Sequence, residues 1–463
     1  MGRKNTGRTI IGYVLGQRYS QISFCDIKGG EPETVSAVMG SEAYNIPTVL
    51  CKKRGTNRWF YGKEAIKYAG QEEGILLENI YDLACTGEPV QVDNEEFDPV
   101  ALLTLFIKRS LSLMTTAVKK EDVAAVMFTV SELNLRTVAV FDQIAIGLEL
   151  PPEKVYLQSY RESIYQYVMH QPKELWNQQV LVFDYDGQMN TYRLTCNRNT
   201  TPTAVFVERE EGYLLPVLGE GNRPERIRAD KERTDRSEES GTDKEKTDHP
   251  EGFGADNDGA EVALTYRKMD QEFKEFAEQM CKDRFVSSVF LVGEGFKGDW
   301  PEESLRFLCR GRRVFQGNNL YSKGACFGAR EKCQPTDIST TQVFLGEDKL
   351  KANIGMKVLK RGIETYFAVL DAGQNWYELK NQCELILDDQ ELSFIITSLT
   401  GGVITERIVF LEGMPERAPR TTRLAMQFRM TAADRVQVVA TDKGFGDFYP
   451  ASGKEWVREF STS

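Results

Sequence analysis

Two glycines, Gly12 and Gly16, interrupt the apolar run Ile10–Phe24. The pattern predicts a strand, a tight glycine turn and a returning strand. Glycine in such a turn lets backbone N–H groups approach an anion closely. Other chemistries find few parts. The chain has only two histidines, His170 and His249, and His249 lies in a polar run, which nearly excludes a Ser-His-Asp triad or a multi-histidine metal site. Nine cysteines are scattered without a Cys-x-x-Cys pair, a usage that fits free thiols in a reducing cytoplasm better than a disulfide or zinc framework.

The elements that must position these residues alternate between strand and helix. Strands are predicted at Ile10–Phe24, Thr48–Lys52, Trp59–Tyr61, Val123–Val130, Val155–Leu157, Val180–Asp184, Thr191–Cys196, Thr203–Val207 and Val286–Val292. Helices are predicted at Lys63–Tyr68, Pro99–Ala117, Leu133–Gly147, Glu162–His170, Asp270–Lys282, Pro301–Cys309 and Asn319–Arg330. Asp98 is a candidate N-cap with Pro99 at the first helical position. This alternation argues for an α/β core. From Gln342 onward the pattern becomes seven short strands, from Ala352–Lys360 to Arg435–Thr441, without helices between them, which argues for a β-sandwich. Trp456 and Phe460 suggest one short terminal helix. Residues 219–258 hold almost no apolar side chain and read as a disordered charged insertion.

Length and charge bound the rest. A chain of 463 residues that is 41% hydrophobic buries real cores, and a formal net charge of −11 disfavours binding to nucleic acid or acidic lipid. No apolar run is long enough to span a bilayer, and the basic N-terminus is followed by no signal-peptide core. The expected location is the cytoplasm.

Five stretches carry a family likeness. They are Ile10–Val49, with its GGEPE turn and its GSEAYNIPTV segment; VLVFDYDGQMNTYRL, Val180–Leu194; VSSVFLVGEGFKGDWPEESL, Val286–Leu305; LYSKGACFGA, Leu320–Ala329; and LEGMPERAPRTTRLAMQFRMTAADRVQVVATDKGFG, Leu411–Gly446. In this order they resemble the DnaK-type heat-shock chaperones of the actin-like ATPase superfamily. The resemblance implies an actin-like ATPase (ribonuclease-H-like) α/β domain of two lobes, 1–178 and 179–341, followed by an antiparallel β-sandwich at 342–463 that binds an extended apolar peptide.

By the same resemblance the nucleotide site would comprise Gly12, Gly16, Gln17, Arg18, Asp184, Gly187, Gly293 and Gly295, with ATP or ADP and magnesium as cofactors. Asp184 and Glu162 are the catalytic candidates, and Asp184 is also the candidate magnesium carboxylate. The family's motifs are altered, however. Val14 stands where the family has a carboxylate near magnesium, Gln17 and Arg18 replace two threonines, and Asp186, Gln188 and Met189 replace Gly, Gly and Thr. The helical subdomain that walls the adenosine pocket would fall between Val207 and Val262, where the sequence is mostly charged. Losing one charge-stabilising group commonly costs about a hundredfold in rate. The expectation is therefore a degenerate, lidless chaperone relative that binds protein or peptide partners with little or no ATP hydrolysis. The alternatives are an active divergent ATPase and an actin-like assembly subunit.

Overall fold

The computed structural model describes residues 8–37, 42–114, 118–210, 256–388 and 390–462, with the side chains of 256–263 left aside. It shows a mixed α/β N-terminal region with mixed sheets, followed by C-terminal antiparallel sheets. Two compact units divide the chain. The first takes Met1–His170, Cys196–Val207 and Tyr321–Ser463; the second takes Gln171–Thr195 and Glu208–Leu320.

In the first unit, the strand Thr9–Leu15 is buried on both faces, as its unbroken run of apolar side chains requires. It pairs in parallel with Val123–Val130 and antiparallel with Tyr19–Asp26. Val155–Ser159 and Gly29–Thr34 complete the sheet on either side. Ile11 and Tyr13 face a core that contains Leu103, Phe106 and Ile107 of the helix Pro99–Leu111 and Phe141 and Ile144 of the helix Leu135–Gly147. Ile10, Cys25 and Met127 face the opposite way, toward Ala325, Cys326 and Ala329 of the helix Leu320–Cys333. Asp98 caps the Pro99 helix as its sequence requires, accepting from the Val100 N–H at 2.9 Å.

Gly12 corrects the sequence reading. It lies inside the opening strand, not at a turn, opposite Ser23 of the returning strand. A Cβ there would fall 2.3 Å from the Ser322 carbonyl oxygen and 2.5 Å from the Cys326 nitrogen. The glycine exists because a helix backbone crosses the strand at that point.

The second unit is built on four neighbouring strands. Gln179–Asp186 pairs antiparallel with Gln188–Asn197 and parallel with Val286–Val292, which pairs in turn with Arg313–Gln316. Leu181, Phe183 and Tyr185 pack with Phe273, Phe276, Phe296 and Trp300. The helix expected at Asp270–Lys282 begins earlier, at Asp256, so the charged run and this helix overlap at Asp256–Asp258. Acidic residues favour a helix N-terminus, Ala260, Glu261, Ala263 and Leu264 are good helix formers, and an apolar stripe anchors the helix further along. The rest of the disordered-insertion expectation lies outside the described residues.

The C-terminal region forms two four-stranded antiparallel sheets. One runs Ile363–Leu370, Ala352–Lys360, Glu391–Ser398, Ile404–Phe410; the other runs Lys380–Leu387, Thr422–Ala432, Arg435–Asp442, Glu455–Ser461. Their inward residues share one core, in which Ile354, Leu392 and Phe394 of the first sheet meet Leu424, Met426, Phe428 and Val438 of the second. Trp456 and Phe460 do not form a helix. They lie on the strand Glu455–Ser461, opposite Ala440 and Val436, and both turn toward the core. A spacing of four places two residues on one face of a helix and equally on one face of a strand. Among the described residues no helix is long and apolar enough to cross a membrane.

Candidate functional site

The predicted nucleotide residues fall into two groups, one in each unit. Gly12, Gly16, Gln17, Arg18 and Glu162 belong to the first; Asp184, Gly187, Gly293 and Gly295 belong to the second.

In the first unit, Gly16 opens the tight connection between the first two strands. A Cβ on it would lie 2.4 Å from the Tyr19 carbonyl oxygen. Gln17 donates from Nε2 to the Asp82 carboxylate at 3.0 Å, and the Arg18 guanidinium lies 5.7 Å from the Tyr19 ring centre. Val14 is buried and offers no ligand oxygen. The turn expected in the GGEPE segment falls just before it, at Ile27-Lys28, and Gly29 and Gly30 instead open the strand Gly29–Thr34, both with a positive φ, 137° and 99°.

In the second unit, Asp184 sits within the strand Gln179–Asp186, between Asn190 and Val292 on the neighbouring strands. Gly187, at a φ of 82°, makes the hairpin turn between Asp186 and Gln188. Gly293 and Gly295 wrap Tyr185. A Cβ on Gly293 would meet the Tyr185 carbonyl oxygen at 2.4 Å, and one on Gly295 would meet its ring at 2.3 Å. The tyrosine is buried, edge-on to Phe296, with ring centres 5.8 Å apart. Aromatic packing therefore accounts for glycines that the sequence offered as a ligand loop.

Glu162 has the most informative surroundings. Ser159 caps the helix Tyr160–Met169 by accepting from the Glu162 N–H at 3.2 Å. The Glu162 carboxylate points into the protein, where the buried Lys349 ammonium meets it at 2.8 Å. Lys349 also donates to Asn375 Oδ1 at 2.5 Å and lies 3.8 Å from Asp348. Burial works against the charged ammonium, yet the Glu162 and Asp348 carboxylates outweigh it and raise the Lys349 pKa. Burial and the Glu162 charge push the Asp348 carboxyl up, against the pull of Lys349. Nearby, Arg161 bonds Glu347 at 2.6 Å. Lys349 and Asp348 were missed from sequence because the charged run Glu347-Asp348-Lys349 after Gly346 reads as a solvated turn.

Two more carboxylates are held tightly. Glu331 meets His170 Nε2 at 3.1 Å and accepts from the Thr336 N–H at 2.9 Å and the Thr336 hydroxyl at 2.7 Å. Burial would raise its pKa, but His170 and Thr336 prevail and bring it from 4.5 to about 2. Asp442, in the Asp-Lys-Gly stretch of the last motif, is buried and takes two parallel 2.8 Å bonds from Arg417. The Gly444 N–H, the Ser452 N–H and the Ser452 hydroxyl also donate to it. These bonds outweigh burial and hold its carboxyl well below the usual range. This Asp-Lys-Gly stretch is thus a structural knot that ties two loops together. Among the described residues no group of three His, Cys, Asp or Glu side chains could hold a metal ion.

Comparison with family models gives two matches. The model described as family of unknown function (DUF5716) C-terminal covers residues 31–347. The chain belongs to this DUF5716 family. A second model, domain of unknown function (DUF8552), covers residues 349–462. No curated protein matches the chain. The two matches in this DUF5716 chain meet at Asp348, beside the bond that joins Glu162 to Lys349. That bond therefore joins the family's α/β region to the first residue of the β-rich region.

Proposed function

We propose that this chain is a degenerate relative of the DnaK-type chaperones, with an actin-like α/β region, that binds protein partners and does not turn over nucleotide. The observation that carries the binding part is the edge strand Ile404–Phe410. One long side pairs with Glu391–Ser398, and the strand stands at the end of its sheet. Its outward face exposes Ile404, Ile408 and Phe410, at 68%, 49% and 58%, while Val409 turns inward. A sheet edge with exposed apolar side chains suits an extended peptide, which supplies backbone hydrogen bonds and alternate side chains.

Three features support the loss of turnover. Val14 brings no carboxylate to the first turn. Glu162, the catalytic candidate, is already neutralised by Lys349. Tyr185 fills the space that Gly293 and Gly295 leave. These surroundings do not fit a magnesium-bound nucleotide. Titration calorimetry of the full chain with Mg-ATP, joined to a phosphate-release assay, tests this. No magnesium-dependent heat and no release above background is the expected result; micromolar binding with hydrolysis contradicts the proposal.

A further inference from the structure

The face of the first sheet that meets the helix Leu320–Cys333 carries a ladder of small polar groups. Along the strand Tyr19–Asp26, Gln21, Ser23 and Cys25 share one face, as alternate residues must. Along the helix, Ser322, Cys326 and Arg330 share the opposing face at intervals of four. The rungs are specific. Ser23 donates to the Ser322 hydroxyl at 2.8 Å, and Ser322 donates to Gln21 Oε1 at 3.5 Å. One helical turn further, Cys25 and Cys326 lie together in one buried cluster with Ile10, Ala125 and Met127. The next turn places Arg330, which donates to the Gly30 carbonyl at 3.0 Å. Gly12 sets the spacing, since its missing Cβ lets the Cys326 backbone settle onto the adjoining strand. Both thiols are free, and of the two Cys25 keeps some exposure, at 6% against 0%.

We propose that Cys25 and Cys326 are a redox-active dithiol that closes to a disulfide under hydrogen peroxide and so fastens this helix to the sheet. The Cys25 sulfur attacks one peroxide oxygen, the O–O bond breaks, and Cys25 becomes a sulfenic acid as one water leaves. The Cys326 sulfur then attacks the Cys25 sulfur, the S–O bond breaks, and a second water leaves. Two thiols lose two electrons and two protons, and one peroxide becomes two waters. The division of labour follows the local charges. The neighbouring Cys326 thiol, aided by Arg330, lowers the Cys25 pKa against its burial, whereas burial and the neighbouring sulfur raise that of Cys326.

The test uses the full wild-type chain, treated with stepwise hydrogen peroxide, alkylated under denaturing conditions, digested without reduction and mapped by mass spectrometry. The expected result is a peptide joining Cys25 to Cys326, lighter by about 2 Da than the two thiol peptides together, and reversed by a thiol reductant. In Cys326→Ser, Cys25 should instead accumulate a sulfenic acid that dimedone traps. The proposal is overturned if both cysteines remain alkylatable once the exposed Cys309 is oxidised. It is also overturned if Cys25 passes to sulfinic acid while Cys326 stays free.

Discussion

The Lys349 ammonium lies 2.8 Å from the Glu162 carboxylate, and both side chains are buried. A residue that would have to act on a nucleotide is instead the counter-charge of a lysine from the start of the β-rich region. Removing one partner of such a pair strands the other charge in a medium of low dielectric, at about 3–5 kcal/mol. Lys349→Met should therefore destabilise the fold by that amount. Adding Glu162→Gln to it should recover a large part of the loss. A double-mutant cycle by urea denaturation checks both, and additive losses would contradict the coupling.

Gly12 separates packing from ligand binding. Gly12→Ala pushes a methyl into the Ser322 carbonyl and the Cys326 nitrogen, backbone atoms that cannot move alone. The expected cost is about 1–3 kcal/mol by overpacking. A lowered denaturation midpoint is the check. Unchanged stability would free this glycine for another role.

Arg417 and Asp442 bridge two loops of the β-rich region through paired bonds. Arg417→Ala leaves a buried carboxylate with the Gly444 and Ser452 N–H groups and the Ser452 hydroxyl but no counter-charge, and should cost about 3 kcal/mol. Trp456 lies in the same region, so tryptophan fluorescence of the chain includes its report of the unfolding. A transition unmoved from wild type would contradict the structural role.

Acid should expose the Glu331 contacts. The folded pKa of about 2 lies below the ordinary 4.5. A depressed carboxylate contributes stability above the unfolded value and loses it as pH falls through the folded one. Stability from this group should be complete above about pH 4.5 and decline toward pH 2. Glu331→Gln should flatten that limb in denaturation curves taken across the range. An identical acid slope in wild type and variant would count against it.

Legibility in the sequence varied with the kind of signal. Val286–Val292 was readable to the residue, because its β-branched and aromatic run Val289-Phe290-Leu291-Val292 stops at Gly293. Ala352–Lys360 was equally plain. Trp456 and Phe460 were misread because one spacing serves two periodicities. Gly12 was misread because a lone glycine gives no sign of what crosses it. The Lys349–Glu162 pair could not be read at all, since only the fold brings such distant residues together. Glycines are the general difficulty here: the same residue permits a ligand, a helix or a tyrosine ring to approach, and the sequence does not say which.

Peptide binding at the exposed edge tests the central claim most directly. Fluorescence anisotropy of labelled extended apolar peptides with the full chain should show saturable binding without nucleotide. Ile408→Lys, on the outward face of Ile404–Phe410, should weaken it at least about tenfold, or roughly 1.4 kcal/mol. Saturable binding that Ile408→Lys leaves intact, or no preference for apolar over charged peptides, would contradict the account.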